Sequence, residues 1–148
     1  MKCCRTRLRF VTSLRMPPIG LIGEELTGSA IGAFFAVYDA LGSGFVEHIY
    51  AEALTRELRR RGHRVAREVP VPVFYRGEKI ALQRLDVLVD SRLVVEVKAS
   101  PDTFSAGKRQ LFNYLRATRL EIGLLFTFGP KPEFNRVVCR NAVKVQHD

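Results

Sequence analysis

Asp86 interrupts the apolar run of Leu85, Val87, Leu88 and Val89, and Glu96 and Lys98 interrupt that of Leu93, Val94, Val95 and Val97. In strands this apolar the polar side chains are expected to share a cleft, because burying an unpaired carboxylate costs on the order of several kcal/mol. Glu96 and Lys98 are two residues apart and so lie on one face of their strand. The face of Asp86 depends on the turn at Asp90 and Ser91. A two-residue loop sets Asp86 opposite Val95, away from Glu96, whereas a three-residue loop through Arg92, or a bulge, sets Asp86 across from Glu96. The second arrangement is the expected one. Two carboxylates on neighbouring strands make a hard-oxygen site for Mg²⁺ or Mn²⁺, completed by a backbone carbonyl and water. Lys98 beside such a site would orient or deprotonate a water and offset charge on a phosphoryl group. The plainer reading is a cross-strand ion pair between Lys98 and Asp86 or Glu96, worth little if exposed.

The elements around these residues follow from periodicity. Leu26, Ala30, Ala33, Phe34, Val37 and Leu41 have helical spacing, which predicts a helix over 24–41 ending at Gly42-Ser43-Gly44. A second helix is expected over 45–61, with Gly62 as its stop. Glu47 shares its stripe with Tyr50, Ala51, Leu54 and Leu58, so its carboxylate is expected to face the packed side and to need a partner there. As a mere first-turn acid it would contribute about 0.3 to 1 kcal/mol through the helix dipole. Alternation then predicts strands over 65–75, 79–89 and 92–99; Pro70 and Pro72 mark the first as an edge strand. A helix over 103–118 follows, with Gln110 bordering its packed face, then a buried strand over 122–128 and a last one within 136–145. The order α-α-β-β-β-α-β-β is an α/β arrangement without internal repeats. His48 and His63 have no ligand-spaced partners and read as surface or boundary histidines.

Gly44-Phe45-Val46-Glu47-His48-Ile49-Tyr50 matches a Gly-x-x-Glu-x-x-Tyr signature, and Asp86 with Glu96-Val97-Lys98 looks like the two halves of a PD-(D/E)XK motif. Gln110-Leu111-Phe112-Asn113-Tyr114-Leu115 matches a helical Gln-x-x-Asn-Tyr-Leu segment. On these residues the chain resembles the small GxxExxY branch of the PD-(D/E)XK nuclease superfamily from roughly Glu24 to Arg140. The resemblance implies a restriction-endonuclease-like core, a mixed sheet flanked by helices. It further implies Glu47, Asp86, Glu96 and the carbonyl of Val97 as metal ligands, Lys98 as the catalytic lysine, and Gln110 assisting at the water or scissile phosphate. Leu85 stands where the superfamily name has proline. The function expected is Mg²⁺- or Mn²⁺-dependent hydrolysis of nucleic-acid phosphodiesters, with DNA favoured over RNA as substrate. The alternative is a non-catalytic nucleic-acid-binding or partner-binding module that keeps the fold.

Composition sets the outer limits. The 148 residues carry 24 Lys and Arg against 15 Asp and Glu, a formal charge of +9, and 47% are hydrophobic. That is room for one domain with a continuous core, and it excludes wholesale disorder. The longest small or apolar run, Ser29 to Tyr38, is far shorter than the roughly 18 residues of a membrane span. Lys2, Arg5, Arg7, Arg9 and Arg15 lie in an acid-free segment closed by Met16-Pro17-Pro18, which reads as a flexible extension over 1–18 preceding a single domain over 19–148. Met16 is expected to be the natural start. From there onward 19 basic residues face 15 acidic ones, a charge of only +4. Arg56, Arg59, Arg60, Arg61, Arg64 and Arg67 fall within twelve residues and read either as phosphate-backbone contacts or as a solvated helix end favoured by its dipole. Cys3, Cys4 and Cys139 suggest neither a disulfide framework nor a zinc knuckle, and with no secretory signal pattern the expected compartment is the cytoplasm.

Overall fold

A computed structural model describes residues 23–141. The expected extension over 1–18, with Cys3, Cys4 and Met16, lies outside the described residues, as does the stretch from 142 onward.

Helix α1 (Glu24–Leu41) buries Leu26, Ala30, Ala33, Phe34 and Val37, the predicted stripe. Helix α2 (Glu47–Arg60) starts two residues later than expected. Phe45 and Val46 are exposed, and the Phe45 N–H is donated to the Tyr50 hydroxyl instead of entering the helix. Strands β1 (Val65–Tyr75), β2 (Glu78–Val89) and β3 (Leu93–Lys98) form an antiparallel meander. A single 3₁₀ turn at Pro101–Thr103 leads into helix α3 (Phe104–Ala117), and β4 (Ile122–Phe128) returns parallel to β3. Strand β5 (Pro132–Val138) pairs antiparallel with β4. It begins four residues earlier than expected, because Pro132 opens an edge strand, where a missing N–H is harmless, rather than blocking one.

The sheet order is β1-β2-β3-β4-β5, mixed through the one parallel pair. The prolines of β1 do lie on an edge. Helices α1 and α2 cover one face, packing on Val87, Val95, Phe126 and Phe128, and α3 covers the other, packing on Val94 and Leu125. The Phe34 ring stacks on Phe126 at 4.4 Å, and Tyr50 stacks on Phe128 at 4.2 Å. No described helix is long and apolar enough to cross a membrane.

The β2–β3 loop has three residues, since Val89 pairs with Leu93 and the Arg92 N–H is donated back to the Val89 carbonyl at 3.0 Å. Asp90 and Ser91 both take positive φ, 50° and 55°. Asp90 Oδ1 accepts the Arg64 N–H at 2.8 Å, and Oδ2 lies 2.7 Å from His63 Nδ1. His63 Nε2 in turn lies 2.7 Å from the Ser29 hydroxyl, so this boundary histidine ties the loop to α1. Burial pushes the Asp90 carboxyl up, but the hydrogen bonds from His63 and Arg64 outweigh it and hold the group below its ordinary range.

Candidate active site at the end of the parallel strand

The three-residue loop puts Val87 opposite Val95, the last pair of the ladder, so that the register carried one residue further brings Asp86 to the level of Glu96. The ladder stops at that level. There the Asp86 side chain replaces the backbone partner: its Oδ2 accepts the Val97 N–H at 3.0 Å. The ribbon also turns over at this point. Val87 and Val89 pack beneath α1 and α2, whereas Leu85 packs beneath α3, although period two would keep all three on one face. Glu68, between the Arg67–Val87 and Val69–Leu85 pairs of the adjacent strand, takes a φ of 51°. Asp86 thus occupies a local irregularity shared by both strands, with the Arg67 Nε–H reaching its carbonyl at 3.3 Å.

Glu96 is 1% exposed, and Lys98 Nζ is 3.0 Å from its Oε1. Its other oxygen, Oε2, is buried without a hydrogen-bond partner among the described residues. Burial, reinforced by the Asp86 and Glu47 carboxylates, pushes the Glu96 carboxyl up to about 8 against the opposing pull of Lys98. For Lys98, burial works against the ammonium, but the Glu96, Glu47 and Asp86 carboxylates prevail and raise it above its ordinary value. The plainer sequence reading, a pairing of Lys98 with a hairpin carboxyl, is therefore present, but it is buried, and it is a full ion pair only where the Glu96 carboxyl is ionised.

Glu47 is the first residue of α2 and sits at the cleft mouth, its side chain 47% exposed and 3.7 Å from Lys98 Nζ. The expectation of an inward-facing carboxylate is corrected to this extent. At the helix terminus the packed stripe has run out, and the side chain projects past it into the cleft. Tyr50, one turn later, sets that position. Its buried hydroxyl donates to the Gly42 carbonyl at 2.6 Å and accepts the Phe45 N–H, fastening the loop that precedes Glu47. The spacing of the Gly-x-x-Glu-x-x-Tyr segment thus has a local reason.

Gln110 Oε1 accepts from Lys98 Nζ at 3.5 Å, while its Nε2 donates to the Tyr114 hydroxyl at 2.5 Å. Tyr114 spends its own proton on the Arg84 carbonyl at 2.7 Å, which leaves its oxygen as acceptor and fixes the orientation of the Gln110 amide. Burial raises the Tyr114 hydroxyl above its ordinary value. Helix α3 lies close over the lysine because Gly107 has no side chain: a Cβ there would stand 3.0 Å from Lys98 Cε and 3.1 Å from Cγ. Thr127, paired with Lys98 across the parallel ladder, is fully buried, its hydroxyl without a partner among the described residues. Sequence reasoning counted Tyr114 as packing and passed over Thr127. The i, i+4 spacing of Gln110 and Tyr114 was the available signal for the first.

All five polar residues read from the sequence, Glu47, Asp86, Glu96, Lys98 and Gln110, therefore meet at the carboxyl end of β3. Such a position is where open α/β sheets place ligand sites. The donor set fits a divalent cation in one respect: a buried carboxylate oxygen lacks a partner beside two further carboxylates. Among the described residues, however, no three Asp, Glu, His or Cys side chains converge as a ready metal cluster. His48 is exposed.

The arginine group is partly spoken for. Arg56 pairs with Glu52 at 2.9 Å, Arg67 with the same glutamate at 3.1 Å, and Arg61 with Glu57 at 3.0 Å. Arg59 donates to the Val65 carbonyl at 3.0 Å, and Arg60 and Arg64 are exposed. Glu52, which sequence reasoning passed over, is held below its ordinary range chiefly by the Arg56 hydrogen bond.

A search of curated proteins found no match to the chain. Among solved structures, one described as the crystal structure of SSO0001 is similar over 80% of this chain at 21% identity, with a TM-score of 0.51. This chain spans 60% of that protein's length, and the likeness is one of fold. A family model described as the PD-(D/E)XK nuclease superfamily matches residues 24–137, from the start of α1 to the penultimate residue of β5. The chain belongs to the PD-(D/E)XK nuclease superfamily.

Proposed function

We propose that this protein is a metal-dependent nuclease of the GxxExxY branch, hydrolysing nucleic-acid phosphodiester bonds, with DNA favoured over RNA. The observation that carries the reading is Glu96: a carboxylate 1% exposed, with one oxygen on Lys98 and the other on nothing, beside Asp86 and Glu47. A purely structural ion pair would not need three carboxylates and an orphaned oxygen. In the proposal, Glu47, Asp86, Glu96 and the Val97 carbonyl hold Mg²⁺ or Mn²⁺. The bound ion supplies Lewis acidity toward the phosphoryl group and lowers the pKa of water. Lys98 brings its cation to the negative charge that grows on the phosphoryl oxygens, and the residues around it fix its position. Gln110, its amide oriented by Tyr114, is poised to hydrogen-bond a water or a phosphate oxygen. The attacking oxygen joins phosphorus as the bond to the leaving sugar oxygen breaks in line with it. The exposed arginines at the end of α2, Arg60 and Arg64 first, with Arg56, Arg59, Arg61 and Arg67 around them, are proposed to contact the phosphate backbone.

One observation favours the second reading, a binding module without hydrolysis. Lys98 Nζ already stands between Glu96 and Glu47, where it neutralises the carboxylates without a metal. Incubating the protein with supercoiled, linear and single-stranded DNA and with RNA, in Mg²⁺, Mn²⁺ or EDTA, separates the two. Metal-dependent cleavage is expected. Binding of nucleic acid without cleavage in either metal would leave the module.

A further inference from the structure

The β1–β2 hairpin carries a feature the catalytic reading leaves unused. Its base is packed: Val71 and Leu85 are buried beneath α3, and the Tyr114 hydroxyl fastens the Arg84 carbonyl. Beyond that level, from Phe74 through Leu82, every residue is exposed. Type I′ geometry at Arg76 and Gly77, both at positive φ, closes the tip. Four large apolar side chains stand on this arm uncovered by any described residue: Phe74, Tyr75, Ile80 and Leu82 are 52%, 59%, 64% and 48% exposed. Isolated exposed apolar residues are ordinary, but here Phe74 lies on the face of the Pro72–Leu82 pair and Tyr75 on the opposite one, so apolar side chains flank both sides of the free β1 edge.

The charges on the arm select what covers it. Arg76, Lys79 and Arg84 face Glu78 alone, so residues 74–84 carry a net +2. Arg76 lies over the Tyr75 ring at 5.4 Å, placing a cation against an aromatic face. A second copy of the same arm would bring like charges together, which opposes self-association. Interleaved cations and exposed aromatic or aliphatic side chains suit a polyanion whose bases are free to stack. Bases of a duplex are stacked on one another, and it would offer this row mainly phosphates. The strand that forms the arm also carries Asp86. Asp86 lies six positions along the strand from Ile80, roughly 20 Å at the usual rise.

We propose that the β1–β2 arm is a stacking platform for single-stranded nucleic acid. It holds unpaired bases on Phe74 and Leu82 on one face and on Tyr75 across the free β1 edge, with Ile80 at the register shift beside them, while the strand's phosphates run toward the Asp86 end of the ribbon. The inference rests on the nuclease reading and names its substrate class: nucleic acid with an unpaired segment to one side of the scissile phosphate. Because the four side chains are exposed, replacing them leaves the core intact.

The test measures binding of a fluorescent oligothymidylate of roughly 20 nucleotides, longer than one binding site, and of a duplex of equal length, in EDTA so that nothing is cleaved. Wild type is compared with Phe74→Ser/Tyr75→Ser, with the conservative Tyr75→Phe, and with Ile80→Ser/Leu82→Ser, with thermal melting and sedimentation recorded for each. The expected result is a preference for the single strand, a loss of about tenfold or more in each double-serine variant, and near-wild-type binding by Tyr75→Phe. Single-strand affinity unchanged in both double variants overturns the proposal. So does a wild-type dimer that the serine variants dissolve, which would make the arm a self-association surface. Arm-dependent binding by a protein that cleaves nothing in Mg²⁺ or Mn²⁺ upholds the platform and removes the nuclease reading. Cleavage indifferent to the arm does the reverse.

Discussion

Asp86 Oδ2 accepts the Val97 N–H at 3.0 Å, at the level where the β2–β3 ladder ends. One carboxylate oxygen thus replaces a strand partner and locks the Asp and Glu-x-Lys segments into register, leaving the group's remaining acceptor capacity toward Glu96 and Lys98. Asp86→Ala removes the acceptor of a largely buried N–H and is expected to cost about 1 to 3 kcal/mol by urea denaturation. Asp86→Asn, turned oxygen-first, should cost less, while both variants lose cleavage.

Glu96 makes the metal-free protein sensitive to pH. Its carboxyl is raised from 4.5 to about 8 on folding, so below pH 4.5 it is neutral in both states and imposes no penalty. As pH rises from 4.5 to about 8 the unfolded chain releases this proton and the folded one retains it, so stability falls through that window and levels off above it. The difference in melting temperature between wild type and Glu96→Gln, followed in EDTA from pH 5 to 8.5, should therefore shift steadily against wild type. Mg²⁺ at pH 8 should recover wild type and leave Glu96→Gln unmoved, because a ligand stabilises only the state that binds it.

Tyr50→Phe keeps the stacking on Phe128 but removes both hydrogen bonds that close the loop before Glu47. A loss of about 1 to 2 kcal/mol is expected in chemical denaturation, together with a fall in cleavage rate as Glu47 loses its fixed origin. Unchanged cleavage would mean that Glu47 is not held for catalysis.

Gln110 and Tyr114 act as one unit in this structure, since the tyrosine proton goes to Arg84 and its oxygen orients the amide. Tyr114→Phe and Gln110→Ala should each lower kcat, and the double variant should be little worse than Gln110→Ala alone. Independent roles would instead multiply the two losses.

The arginines are tested by salt. Arg60→Ala/Arg61→Ala should weaken nucleic-acid binding evenly across sequences and reduce the slope of log affinity against log salt by about 1 to 2. An unchanged slope would return both to a solvated helix end.

Much of this site is legible in the chain because the hairpin is so apolar that Asp86, Glu96 and Lys98 stand out. The three-residue loop through Arg92 was expected, and with it the placement of Asp86 across from Glu96. Periodicity also identified the helical stripes and the edge position of Pro70 and Pro72. What escaped the sequence depends on tertiary events. The turn-over of β1 and β2 at Glu68 and Asp86 breaks the alternation on which strand reading relies. Glu47 shares the spacing of an inward stripe, yet a helix end has no layer beyond it to be buried in. The start of β5 escaped because at a sheet edge Pro132 can begin a strand, four residues before the expected Arg136. Of the arginine run, only the fold shows which members are matched by Glu52 and Glu57.

The central claim is that Asp86, Glu96 and Lys98 form a hydrolytic site. Its most direct test is the cleavage rate of single- and double-stranded DNA in Mg²⁺ by wild type, Lys98→Ala and Asp86→Ala, purified side by side. Wild type is expected to cleave, with cleavage abolished by EDTA and reduced at least about a hundredfold in both variants. Equal cleavage by all three proteins would contradict it.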